Sequence, residues 1–260
     1  MSRPIDVHVR AMSNADALGY LGQQEIARAV GDGGDYRIVG GHMVRLLLQV
    51  YPTANAELRS TLDADAAVDD VRVIGSISES LIAQNFTKSG GNLYFKMLDS
   101  EQRVEVNLLL SRHGPAPGMR TQYVPGIGEV DTLPELSFVL SSAPLLINVT
   151  AALFDGQTVE YTTRIPDLEA ALVHKAHSWK GRNSKKDLVD LHSLLEVREA
   201  HPDVPWRLGD DSLIGFRKDS AGILHQIAQS LTRKSTGIPV PAHINRLRMA
   251  ALISKHITRP

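Results

Sequence analysis

The sequence predicts an α+β protein in two parts: residues 1–166 form a domain with a mixed sheet flanked by helices, and residues 167–260 form a helical C-terminal domain. Three observations carry this reading. Strand-like runs alternate with amphipathic stretches up to about residue 165. A glycine pair, Gly40-Gly41, separates a β-favouring run from a helical one. After Pro166-Asp167 the apolar residues recur only at helical spacing.

Taken in order, residues 13–30 read as an amphipathic helix, with Leu18, Leu21, Ile26, Ala29 and Val30 on its apolar side and Ser13 to Asp16 as N-cap candidates. Gly31-Asp32-Gly33-Gly34 breaks the chain, and Tyr36 to Val39 is a short strand ending in Gly40-Gly41. Residues 42–50 are helical and stop before Pro52. A strand carrying Asp63 and Asp65 comes next, then a helix from Asp69 to about Phe86. Leu93 to Leu98 and Arg103 to Leu110 read as strands joined by a turn at Asp99-Ser100-Glu101. Glu105 and Asn107 alternate with Val104, Val106 and Leu108, which places the two polar residues on one face. From Ser111 to about Leu136, glycine and proline are dense and the pattern predicts a long connection. Leu145 to Phe154 and Gln157 to Thr163 are strands around an Asp155-Gly156-Gln157 hairpin turn. Helices follow at 167–180, 184–199, about 210–217, 220–233 and 241–257.

Composition bounds the function. With 260 residues, 43% hydrophobic and 22% charged, the chain has material for a sizeable core. A net charge of -1 argues against coating nucleic acid by bulk charge, so any such contact has to come from a local patch. The chain has no cysteine, which excludes disulfides, zinc thiolates and a cysteine nucleophile. The N-terminus has no apolar core of signal-peptide length, and the apolar stretch Ala143 to Phe154 is interrupted by Pro144, Asn148 and Thr150. A soluble cytoplasmic protein with no membrane partner is expected.

The chemistry concentrates in Arg59-Ser60-Thr61-Leu62-Asp63-Ala64-Asp65. On an extended strand Asp63 and Asp65 share a face with Cα atoms roughly 6–7 Å apart. Two carboxylates that close repel unless a cation lies between them, and hard oxygen ligands suit Mg²⁺. Gly40-Gly41 opens a helix, so its backbone N–H groups face outward with no side chain to keep a phosphate away. If the strand with Glu105 and Asn107 lies beside the aspartates, Glu105 is the available third carboxylate.

In the C-terminal part, residues 174–186 contain a local basic patch including Lys175, Lys180, Arg182, Lys185 and Lys186. Lys175 sits beside the apolar side of its helix, one turn before Trp179, where solubility alone does not require a lysine. Asp187 and Asp190 are neighbours on one helix face. His174 and His177 lack the spacing and glutamate of a helical zinc site. His201, His225 and His243 read as surface or satisfied histidines.

Together, Gly40-Gly41, then Arg59-x-Thr61-x-Asp63-x-Asp65, then Lys175 with Lys186-Asp187-Leu188-x-Asp190-Leu191, resemble the AbiEii-type nucleotidyltransferases of the polymerase-beta-like superfamily. That group includes the toxins of bacterial toxin–antitoxin and phage-defence systems. The resemblance spans roughly residues 36–195. It implies a nucleotidyltransferase domain in which Gly40 and Gly41, with Arg59, Thr61 and Lys186 of the same motifs, hold an NTP. Asp63 and Asp65 hold Mg²⁺, Lys175 contacts phosphates and Asp187 completes the site, in a cleft between the two domains. The chain departs from the family at Gly41, where many members carry serine, in the long gap from Gly41 to Asp63, and at Asn107, which can occupy the place of a third carboxylate.

The activity implied is Mg²⁺-dependent transfer of NMP to tRNA or another RNA, with a cognate antitoxin as a possible partner. A small-molecule acceptor such as an antibiotic, or a degenerate binding module with the same fold, are the competing readings.

Overall fold

The computed structural model describes residues 3–31, 34–114, 116, 118–233 and 237–260. The chain divides into two units, Met1–Val50 with Arg59–Pro166, and Tyr51–Leu58 with Asp167–Pro260. Asp32 and Gly33 of the expected chain break, and Pro115 and Pro117 of the expected connection, lie outside the described residues.

The first unit holds two sheets. In the larger one β2 (Arg37–Val39), β3 (Ala64–Val68), β6 (Arg103–Ser111), β5 (Leu93–Met97) and β4 (Thr87–Lys88) lie in that order. A hairpin of β7 (Arg120–Val124) and β8 (Gly128–Leu133) joins through β8 to β6. The sheet is mixed: β2 pairs antiparallel with β3, β3 parallel with β6, and β5 antiparallel with β6. The smaller sheet has β9 (Leu145–Ala152) between a parallel β1 (Ile5–Arg10) and an antiparallel β10 (Thr158–Ile165). The helices of this unit are α1 (Asn14–Val30), α2 (Gly40–Val50), α3 (Val71–Ala83) and α4 (Leu136–Ser141).

Each boundary has a local cause. Ser13 caps α1 by accepting from the Asp16 amide, and Asp70 caps α3 by accepting from the Arg72 amide. On β6, Val104, Val106 and Leu108 are buried, while Glu105 and Asn107 on the other face are half-buried. Helix α1 packs on the buried face, and a Cβ added at Gly22 would lie 2.8 Å from the Ala64 Cβ, so glycine sets the closeness of that contact. Each such buried Val or Leu contributes about 1.5–3 kcal/mol of transfer free energy.

Several expectations need correction. The stretch 111–136 is not a bare connection: it contains β7, β8 and the start of α4. The period-2 burial of Val130 and Thr132 was present in the sequence, masked by the density of Gly and Pro. β1 was missed although Val7 and Val9 alternate inward, because it lies so near the N-terminus. The helices expected at 210–217 and 220–233 are one helix, α7 (Gly215–Thr232), with the residues before Gly215 non-helical.

The second unit packs α5 (Leu168–Arg182), α6 (Lys185–Ala200), α7 and α8 (Arg246–His256). The segment 51–58 belongs to it. Ser193 Oγ lies 3.2 Å from the Glu57 amide and 3.3 Å from its carbonyl oxygen, His201 Nε2 lies 2.9 Å from the Pro52 carbonyl, and His243 pairs with Glu57 at 2.8 Å.

Inside the first unit, Arg45 on α2 is buried beside Asp16 on α1, Nη1 to Oδ1 at 3.2 Å. Its other donors reach the Tyr20 hydroxyl (2.5 Å) and the carbonyls of Arg10 (3.1 Å) and Arg59 (3.4 Å). Asp16→Asn removes the countercharge but not the bulk, so a loss of about 3–5 kcal/mol is expected from urea unfolding. A loss below about 1 kcal/mol would mean the pair behaves like a surface bridge.

Candidate active site

Strand β2 runs straight into α2, and the turn is made at Gly40, whose φ is +70°. Val39 pairs with Asp65, so the first residue of the helix is brought against that carboxylate. A Cβ at residue 40 would sit 2.1 Å from Asp65 Oδ2. A Cβ at residue 41 would sit 2.7 Å from Arg59 Nη2 and 2.9 Å from Thr61 Oγ1. Glycine is therefore required at both positions for two separate reasons: backbone conformation and space at 40, space alone at 41. The serine that the resemblance leads one to expect at 41 has no room, and the Thr61 hydroxyl stands where its side chain would begin.

Asp65 lies on β3, and Asp63 immediately precedes that strand. Thr61 Oγ1 donates to Asp63 Oδ1 at 3.4 Å, and Asn107 Nδ2 donates to Asp65 Oδ1 at 2.9 Å. The strand bearing Glu105 and Asn107 does lie beside β3, with Asn107 directly opposite Asp65. The Glu105 carboxylate pairs with Arg103 Nε at 2.6 Å. Among the described residues no three His, Asp or Glu side chains could together hold a metal ion. The donor set nonetheless suits Mg²⁺, which is commonly held by one or two carboxylates together with substrate phosphates. Asp63 and Asp65 supply those two, beside the N-terminus of α2, whose first backbone amides favour an anion.

Behind this surface lies His42, the third residue of α2 and fully buried. A Cβ at Gly19 of α1 would meet its Nε2 at 1.9 Å and the Thr61 carbonyl at 2.9 Å, so α1, His42 and the Thr61 backbone are in close packing. Burial, then the Arg45 and Arg59 charges, lower the His42 pKa to about 3. His42, Gly19 and Arg45 were not singled out from sequence, and Asp16 only as an N-cap candidate, because their contacts join distant segments.

In the helical unit, Lys175 is fully buried, its Nζ 2.7 Å from Asp190 Oδ2 and 3.7 Å from Asp187 Oδ1. Arg182 grips Asp187 with two bonds of 2.6 Å. The lysine and aspartate expected to act on substrate thus pair with each other, and Lys186 is exposed. His174 is held near a pKa of 3 by burial, then by Lys175 and Arg182.

The site joins a glycine-opened helix to Asp65 on the mixed sheet and to Asp63 just before that strand. No family model and no curated protein match the chain. Among solved structures it is similar to the crystal structure of an antigenic nucleotidyltransferase-like protein from Paracoccidioides brasiliensis, at 16% identity and a TM-score of 0.35, over 72% of this chain and 87% of that one. Among the described residues no helix is long and apolar enough to cross a membrane.

Two outcomes follow from the geometry. Gly40→Ala forces a left-handed backbone on alanine and pushes Asp65 aside, with an expected loss of about 1–3 kcal/mol. Gly181→Ala on α5, with nothing near its Cβ, is expected to be neutral or slightly stabilising, and equal melting temperatures for the two variants would refute the contact.

His42 and His174 have folded pKa values near 3 against an ordinary 6.5, so between those values only the unfolded chain binds the proton. Their contribution to stability is whole above about pH 6.5 and declines as pH falls towards 3, by up to about 1.4 kcal/mol per pH unit for each. Urea midpoints measured from pH 7.5 to 5 should fall, and His42→Gln should flatten the decline.

Proposed function

We propose that this chain is a Mg²⁺-dependent nucleotidyltransferase that transfers NMP from an NTP to an RNA acceptor, tRNA being the first to test. The observation that carries the reading is the Gly40-Gly41 turn, closed to side chains by Asp65, Arg59 and Thr61 and lying against the Asp63–Asp65 pair. Bound between the aspartates and the triphosphate, Mg²⁺ would neutralise phosphate charge and help place the α-phosphate. The chain's own groups do the rest. Backbone N–H groups at the start of α2 and the Arg59 guanidinium receive the phosphates, and the Thr61 hydroxyl steadies Asp63.

The resemblance assigns Lys175 and Lys186 to phosphate and Asp187 to the acceptor. Since Lys175 and Asp187 pair in the structure, that role requires substrate to compete with Asp190 and Arg182 for them. The exposed Lys180, Lys185 and Lys186 favour RNA over a neutral small molecule such as an antibiotic, because polyanion binding is driven by such charges and weakens with salt. The toxin role, with an antitoxin partner, belongs to the same proposal and rests on the motif resemblance.

One observation favours a second reading, a binding module without catalysis: Asn107 occupies the position opposite Asp65, where a further carboxylate would serve a second metal or a base. The purified chain, α-labelled NTPs, Mg²⁺ and total RNA decide between them. Label should enter RNA, and Asp63→Ala should reduce it by at least about a hundred-fold. Equal labelling by the variant would remove Asp63 from the site. Absence of Mg²⁺-dependent NTP binding by calorimetry would end the proposal, and NTP binding without transfer to RNA or to a panel of antibiotics would leave the binding module.

A further inference from the structure

We infer that Phe95 and Arg103, fixed by Glu105 on the same face of the larger sheet as Asp65, form a stacking platform for the base of a nucleotide. The inference rests on the nucleotidyltransferase reading and adds to it where the base goes.

Register places the residues. Asp65 is opposite Asn107, Asn107 opposite Leu93, and Glu105 opposite Phe95, so all five side chains share one face. The alternate residues Ala64, Tyr94, Val104 and Val106 are buried on the other face. Phe95 lies two strands across and two residues along from Asp65, about 12 Å at just under 5 Å per strand and about 3.4 Å per residue, a span that a phosphate, its ribose and the base together cover. It is half-buried, so part of its ring is accessible.

The Arg103 guanidinium lies over the Phe95 ring, 5.5 Å from its centroid, and its side chain is half exposed. Glu105, with 16% of its side chain accessible, holds Arg103 Nε at 2.6 Å and so fixes the guanidinium plane. A pair that served only the fold has a counterpart on the opposite face, where Lys96 lies 5.5 Å from the Phe86 centroid and also pairs with Glu25 of α1. The Phe95–Arg103 pair, by contrast, lies on β5 and β6 with Glu105 of β6 as its partner, and faces the row of the aspartates. Flat guanidinium and aromatic faces are what unpaired bases stack on, whatever their sequence. The Glu105 carboxylate thus has a use other than metal binding: it orients Arg103.

The base can come from the NTP or from the end of the RNA, and steady-state labelling with the full chain separates the two. Phe95→Leu and Arg103→Gln should each raise one KM about ten-fold, the size of a single base stack, with a much smaller change in kcat. A shift in the NTP KM identifies the nucleotide's own base, and a shift in the RNA KM identifies the acceptor's. Inhibition by inorganic tripolyphosphate with Mg²⁺, which has no base, should be the same in wild type and Phe95→Leu. Lys96→Met should alter stability and neither KM. If neither KM moves in the Phe95 and Arg103 variants, the platform is overturned. It is equally overturned if Glu105→Gln collapses kcat with a raised Mg²⁺ requirement, which would make Glu105 a metal ligand. A wild-type chain that binds no NTP overturns the underlying reading and this inference with it.

Discussion

The approach of the Asp65 carboxylate to the backbone of Gly40 is the constraint around which the first unit is arranged. It exists because β2 pairs antiparallel with β3 in a register that puts Val39 opposite Asp65, and because the next residue turns at once into a helix with positive φ. Any other residue at 40 would lose both the conformation and the contact. One backbone turn thereby sets the direction of α2, presents its N-terminal amides, and holds a carboxylate beside them. The amides favour a negatively charged neighbour, and the Asp65 carboxylate is one.

What holds that turn in place is buried charge. Arg45 lies on the helix that Gly40 opens and reaches Asp16, Tyr20 and the backbone carbonyls of Arg10 and Arg59. A buried guanidinium is tolerable only when its donors are used and its charge is met, and here the partners come from β1, α1 and the segment leading to the aspartates. Hydrophobic packing could hold α2 equally firmly, but it would not fix the Arg59 carbonyl. A hydrogen bond to that carbonyl does, and the residue it anchors also brings its side chain beside Gly41. The uncharged state of His42 belongs to the same arrangement: with Arg45 and Arg59 nearby, a protonated imidazole would add a buried positive charge beside two guanidiniums.

Much of this was legible in the sequence where short-range patterns dominate. Residues 14–30, the strand–glycine–helix at 37–50, the strands at 93–97 and 103–111, and the change at Pro166 all follow from periodicity and caps. The β7–β8 hairpin was not, because glycines at its turn and loop imitate a disordered connection when pairing to β6 is unknown. In the site, the local motifs Gly40-Gly41 and Asp63-x-Asp65 were visible, whereas the partners that give them geometry come from distant segments. Nothing local in Gly19 or Asp16 announces that α1 will press on His42 and Arg45. The roles of Glu105 and Asn107 could be narrowed to one face but not divided between them, since the division depends on which one faces Asp65 and which one has Arg103 within reach.

That division bears on the chemistry. A carboxylate at 107 would set a second negative charge directly opposite Asp65 on the neighbouring strand, where like charges repel. Asparagine carries no charge and offers a donor instead, its Nδ2 lying 2.9 Å from Asp65 Oδ1. The same amide cannot accept a proton, so a transfer reaction here would need its acceptor hydroxyl activated from elsewhere. Asn107→Asp tests the proposed Mg²⁺ site: a single Mg²⁺ binding event by calorimetry in both wild type and variant fits a site arranged for one cation, and a second event in the variant alone fits a site that had lost its third acid. Both follow from the charge at one position on β6, opposite the carboxylate that the glycine turn holds in place.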